Sequence, residues 1–269
     1  MQLTSVDQID RQFRHIYFQP HFDDAALSCG GSIALQVATG QQVLLVTVFG
    51  GIPSTGDTLS PYAAQVQQQM GLGIVGADAV RRRRSEDAAA AEILGASVLW
   101  LDYVDAIYRG SPALYPDEES LFGPVNAGDL RLDEDLAGVF MNIYERAPLA
   151  AIYAPLGVGH HVDHQLCCSA ADRLAQRRLN VKFYEDFPYV ARSANALQVR
   201  QQELGLQMEP ELVEISGVSA RKEEAISQYA SQVPALFGKA ERVHQMLTDY
   251  SSSLRRTYPG IQIERYWRW

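Results

Sequence analysis

Two short stretches hold most of the residues able to do chemistry. HIYFQPHFDDAALSCGG, residues 15–31, places His21, Asp23 and Asp24 within four positions at the end of an apolar run. APLGVGHHVDHQ, residues 154–165, ends a second apolar run in three histidines and an aspartate: His160, His161, Asp163 and His164. Four of the six histidines of the chain fall in these clusters, which random placement would rarely give. A shared metal ion accounts for it. Two imidazoles and one carboxylate with a position left for water form the layout of catalytic zinc, whereas structural zinc usually takes four protein ligands rich in cysteine. Cys29, Cys167 and Cys168 have no such spacing. A blander reading makes one aspartate a helix cap, favoured by the free N–H groups and the helix dipole. It leaves His21 and the other aspartate unexplained. Among the later histidines, 160 and 164 are spaced i, i+4 and 161 and 164 i, i+3, and both pairs share a helix face. Spacing alone does not choose between them.

The elements that must bring these clusters together are legible as an alternation. Short apolar runs rich in β-formers recur at 15–19, 42–49, 97–102, 149–154 and 181–186. Between them lie AALSCGGSIALQVATG, AVRRRRSEDAAAAEILGA, GDLRLDEDLAGVFMNIYERA and VDHQLCCSAADRLAQRRL, each with apolar residues at helical spacing. The pattern predicts an α/β fold: a Rossmann-like, doubly wound, mainly parallel sheet with helices on both faces. In such sheets ligands bind beyond the carboxyl ends of the strands, where both clusters fall. One domain, 1–269, is expected, with rim insertions at 49–78 and 108–128, both rich in Gly, Pro, Ser and Asp. A further strand-like run spans 211–218, and the chain closes on ERYWRW, which suits packing on the domain or across a contact in a homo-oligomer.

Composition excludes several functions. A net charge of −9 argues against binding a nucleic-acid backbone. No apolar run reaches the ~18 residues needed to span a bilayer, and the N-terminus has no signal-peptide pattern. Three cysteines, two adjacent, suggest no disulfide framework, and a cytoplasmic location is expected.

PHFDDAALSCGG and GHHVDHQ, about 140 residues apart, resemble the PHPDDE and HxDH motifs of the LmbE-like, or PIG-L, family of zinc-dependent N-deacetylases. RRRRSEDAAAAEILGA followed by VLWLDYVD is similar to the family's RxxE…LG helix and LxxxD strand end, so the resemblance covers at least 15–186. It implies one Zn2+ per chain, with another divalent ion as the alternative, held by His21, Asp24 and His164, Asp23 as general base, and His161 stabilising the oxyanion or protonating the leaving amine. Asp163 would orient a histidine. Two adjacent aspartates then have separate tasks, one binding metal and the other taking a proton from the attacking water. The sequence departs from the family pattern at Phe22, where Pro is usual, and at Ala25, which replaces a Glu that normally supports the metal site.

The resemblance also implies substrate contacts from Arg83, in register with Glu86, and from Asp105, for which the bland alternative is a turn cap. GLGIVG, 71–76, fits a dinucleotide-binding string but follows a polar, helix-prone segment rather than a strand. RRRR, 81–84, reads mainly as a solvated, ion-paired helix turn. The expected activity is hydrolysis of an acetamide on an N-acetylated amino sugar or glycoconjugate, releasing acetate. An amidase acting on a non-sugar N-acyl group, or a sugar-binding relative without activity, are the alternatives.

Overall fold

The computed structural model describes residues 1–54, 59–254 and 261–269. Its centre is one eight-stranded sheet. In chain order the strands are β1 (Gln2–Leu3), β2 (Phe13–Gln19), β3 (Gln42–Thr47), β4 (Ser97–Trp100), β5 (Ala151–Pro155), β6 (Val181–Tyr184), β7 (Glu209–Glu214) and β8 (Ile263–Arg268). They lie in the order β1-β4-β3-β2-β5-β6-β8-β7. Pairing is parallel from β1 through β6 and antiparallel at β6/β8 and β8/β7.

Strands β2 to β6 are largely buried on both faces, which is why they read as apolar runs. Along β2 the side chains alternate. Ile16 and Phe18 enter a core shared with Phe140 and Leu166, while Tyr17 enters a second core with Ile33, Ala90 and Leu94. The first core is closed by α5 (Leu132–Arg146) and α6 (Val162–Ala175), the second by α1 (Asp24–Ala38) and α3 (Gly76–Leu94). The first rim segment carries α2 (Pro61–Gln69) and the second α4 (Glu118–Leu121). Residues 55–58 of the segment 49–78 lie outside the described residues. No helix among the described residues is long and apolar enough to cross a membrane.

Gly30 and Gly31 let α1 pack closely. A Cβ at Gly31 would collide with the Ile215 side chain, and one at Gly30 would sit 2.9 Å from Lys222 Cγ. Lys222 in turn ion-pairs with Glu264 of β8 at 2.7 Å, tying the tail under the first helix. ERYWRW therefore packs on the domain, as an internal antiparallel strand.

Between α3 and the sheet, Asp87 is fully buried. Its carboxylate accepts from Trp100 Nε1 (2.6 Å), Gln19 Nε2 (3.3 Å) and Thr47 Oγ1 (3.3 Å). Burial outweighs these donors and raises its pKa from 3.8 to about 7. The folded state thus holds this proton more tightly than the unfolded chain. The associated stability is complete below pH ~4 and is lost as pH rises through ~7, with a slope of at most about 1.4 kcal/mol per pH unit between the two. Urea unfolding at pH 5 and pH 7.5 should show that Asp87→Asn flattens this decline; an unchanged difference would contradict the assignment.

Candidate active site

In the strand order, β2 has β3 on one side and β5 on the other, so the chain winds away from this pair in both directions. A crevice opens at the carboxyl ends of two such strands. PHFDD leaves β2 there and enters α1; GHHVDH leaves β5 and enters α6. Gly157 and Gly159 make the second exit possible, with φ of +82° and +94°. A Cβ at Gly159 would lie 2.7 Å from the Tyr189 side chain. The two distant clusters meet, and the His21 and His161 rings stand 4.7 Å apart between centroids.

Neither aspartate of the first cluster acts as a cap. Asp23 makes no side-chain capping bond, and Asp24 Oδ2 turns back to accept the His21 N–H at 2.7 Å. The same oxygen lies 3.5 Å from His21 Nδ1 and 3.5 Å from His164 Nε2. One nitrogen from each of His21, His161 and His164 also falls within 4.8 Å of the others.

The outer bonds of each histidine decide which atom it can offer. His164 Nδ1 donates to Asp186 Oδ1 at 2.7 Å, which leaves Nε2 as a lone pair; that atom is buried and has no hydrogen-bond partner. His21 Nε2 donates to Asp163 Oδ2 at 3.0 Å, leaving Nδ1 toward Asp24. His161 is wired the other way. Its Nδ1 accepts the Asp163 N–H at 3.2 Å, so the neutral ring carries its proton on Nε2 and is a donor rather than a ligand.

These donors fit a divalent cation. With bonds of about 2.0–2.1 Å, two ligands of a tetrahedral zinc are separated by about 3.4 Å, close to the two edges at Asp24. Imidazoles held from behind by carboxylates are the usual support of such ligands.

Charges around the site follow from the same contacts. Burial works against a protonated His21, but the carboxylates of Asp105, Asp163 and Asp24 hold its pKa well above the ordinary value, and a cation bound at Nδ1 would take the place of the second proton. Burial and the neighbouring His21 drive His161 well below it, so that ring is neutral. Asp24 would be raised by burial, yet His164 and His21 keep it below the usual carboxylate range. Burial raises Asp23 despite Arg83, whose Nη2 donates to Asp23 Oδ1 at 3.2 Å.

The remaining sequence-predicted residues also converge. Arg83 Nη1 lies 3.6 Å from Asp105 Oδ2, which is itself 3.6 Å from His21 Nε2. The turn cap expected as the bland alternative for Asp105 is present too, since its other oxygen accepts the Ile107 N–H at 3.2 Å. Glu86 is turned away from the site and accepts the N–H and hydroxyl of Ser231. His160, at a φ of 65°, lies 3.4 Å from Glu203 and takes no part in the cluster. At Ala25, the N–H goes to Gln19 Oε1 at 3.1 Å, so this amide serves the helix start where the family pattern has Glu.

Gln19, Arg109 and Asp186 are site residues that sequence reasoning missed. Asp186 has a visible signal, a carboxylate at the end of the β6 run in FYEDF. Above the cluster is a cavity of about 240 Å³. Tyr62 and Met70 from the first rim segment, Leu121 and Phe122 from the second, and Tyr189 are among its walls. Phe122 stands edge-on to the His161 ring at 5.2 Å.

Residues 16–175 match the family model described as PIG-L, GlcNAc-PI de-N-acetylase, over more than half of the chain. The chain belongs to the PIG-L family. It is a metal-dependent N-deacetylase with an α/β fold of the LmbE type. A 2'-N-acetylparomamine deacetylase of Niallia circulans is 32% identical over 248 residues, 87% of this chain and 85% of that protein. A protein of the same name from Streptomyces fradiae is 31% identical over 228 residues, 82% and 74% of the two chains. Among solved structures, a pseudoaglycone deacetylase superposes with a TM-score of 0.73 at 28% identity, covering 96% of this chain and 97% of that one. A teicoplanin deacetylase solved in a zinc-inhibited form gives 0.77 at 23% identity, covering 94% and 97%, and shares the fold.

Proposed function

We propose that this PIG-L protein removes the acetyl group from an N-acetylated amino sugar, with one zinc ion held by His21, Asp24 and His164. The observation that carries the ligand set is the orphaned, buried His164 Nε2 aimed at a carboxylate oxygen that His21 Nδ1 also approaches. When bound, the cation supplies Lewis acidity at the acetamide carbonyl and lowers the pKa of water toward ~7.

The chain's own residues do the rest. Asp23, raised by burial but kept ionisable by Arg83, takes the proton of the attacking water. His161 presents its Nε2–H toward the oxygen on which negative charge develops. Asp23 then returns its proton to the departing amine, completing the hydrolysis to acetate and a free amine. Arg83 and Asp105, joined across 3.6 Å, border the sugar hydroxyls. The cavity of about 240 Å³ is small for a ligand pocket, where ~300–1,000 Å³ is usual, and suits one acetylated ring with the rest of a larger substrate outside. The two relatives named for N-acetylparomamine support an amino-sugar substrate.

Acetate release from a panel of N-acetylated amino sugars and non-sugar N-acyl amines tests the reading. Release confined to the sugars is expected; release only from non-sugar amides would overturn it. His161→Ala should lower kcat by about 100- to 1,000-fold, the loss typical of a removed oxyanion donor. Its zinc content, measured by atomic emission, should stay that of the wild type.

A further inference from the structure

We propose that Arg109 is a positioning residue for the metal centre: acting through Asp163, it fixes which nitrogen of His21 faces the cation. The inference rests on the ligand set proposed above. Arg109 follows the short turn Ala106–Tyr108 and is 8% exposed. Its Nη1 lies 2.6 Å from Asp163 Oδ1, and its Nε donates to Asp129 Oδ2 at 2.8 Å. Nη1 also donates to the Val104 carbonyl at 3.1 Å, and the guanidinium lies over the rings of Phe49 and Tyr115 at 5.0 and 5.4 Å. Arg109 does not line the cavity above the cluster.

What it touches is the hinge of the site. Asp163 is fully buried, and its two oxygens have different partners. Oδ1 meets Arg109, while Oδ2 accepts from the Ala106 N–H at 3.0 Å and from His21 Nε2 at 3.0 Å. With Arg109 holding Oδ1, Oδ2 stays aimed at His21 Nε2 and the ring keeps Nδ1 toward Asp24. Without it, nothing holds Oδ1, the Asp163 carboxylate is free to turn, and the His21 ring loses the contact that keeps its Nδ1 toward Asp24.

The backbone of the same residue does the reverse for His161 by donating to its Nδ1. Asp163 therefore sorts two neighbouring histidines into a ligand and a donor, and Arg109 is what holds it in the form that does so.

The test is zinc affinity of the full chain, by competition with a chromophoric chelator, with long-range proton–nitrogen NMR of the imidazoles reading the His21 tautomer. Arg109→Met should weaken zinc binding about 10-fold or more and shift the His21 proton signal away from Nε2, while Arg109→Lys, which keeps the charge, should recover most of the affinity. A purely structural role would lower stability alike in both variants without moving the affinity of the folded protein.

Folded Arg109→Met binding zinc within about twofold of the wild type overturns the proposal. Should that variant not fold, Asp129→Asn releases the guanidinium from behind and is read in the same way; several-fold weaker binding supports the proposal, and unchanged binding overturns it. Wild-type protein that binds no zinc would instead remove the ligand set itself, and the inference with it.

Discussion

Asp23→Asn should bind zinc as the wild type does and lose about 100- to 10,000-fold in kcat, the range expected when a general base is removed. The expectation rests on a division of labour between neighbours. Asp24 Oδ2 is 3.5 Å from both proposed ligand imidazoles, whereas the Asp23 carboxylate pairs with Arg83. Asparagine preserves size and a contact for Arg83 but cannot accept a proton. Burial raises the carboxyl pKa and Arg83 limits the rise, which moves this base toward the pH at which it must work. Steady-state kinetics together with metal analysis check both halves. A variant retaining activity within a few-fold would assign proton transfer elsewhere.

His164→Ala should have the larger effect on metal and abolish turnover outright. The imidazole is 1% exposed on its side chain, is fixed from behind by Asp186, and offers its only free nitrogen inward. Losing an outer support of a ligand typically costs 10- to 100-fold in metal affinity, so losing the ligand should cost more than about 100-fold. Asp186 Oδ1 would also be left buried without its donor, at about 1–3 kcal/mol of stability, while Oδ2 keeps the Val158 N–H. Circular dichroism and urea unfolding separate that loss from the metal effect. Wild-type protein stripped with a chelator should fall silent and recover with one equivalent of zinc; His164→Ala should not recover. Stoichiometric zinc retained by a folded His164→Ala protein would contradict its place as a ligand.

Much of this site is legible in the sequence because the residues that carry it sit at strand ends. A strand that is apolar until Phe18 or Ala154 and then breaks into His and Asp marks the carboxyl edge of a parallel sheet without any coordinates. Helices α1, α3, α5 and α6 are legible for the same reason, since their apolar periodicity is set by a face against the sheet. Strand β8 is not. ERYWRW mixes charge and aromatics because its side chains serve separate purposes: Glu264 takes Lys222 and the N–H groups of Gly31 and Ser32, and Trp267 donates to Glu185. No period survives such use.

The outer supports are hidden for a different reason. Arg109 and Asp129 lie in or beside the second rim segment, and Asp186 lies 22 residues beyond the histidine it holds. Nothing in their local sequence distinguishes Arg109 and Asp129 from surface charge. The family resemblance gives Asp163 a histidine to orient, and the structure adds which one each of its groups reaches: the carboxylate meets His21, and the peptide N–H meets His161. That distinction depends on two chain segments meeting in space, which no one-dimensional spacing contains.

The most direct measurement is anomalous scattering at the zinc edge from crystals of the wild-type protein. A single strong peak is predicted about 2.0–2.2 Å from His21 Nδ1, an Asp24 oxygen and His164 Nε2, with Asp23 and His161 outside bonding distance. A peak bonded to His161 in place of Asp24, or none at the meeting point of the two clusters in protein that releases acetate, would contradict the account.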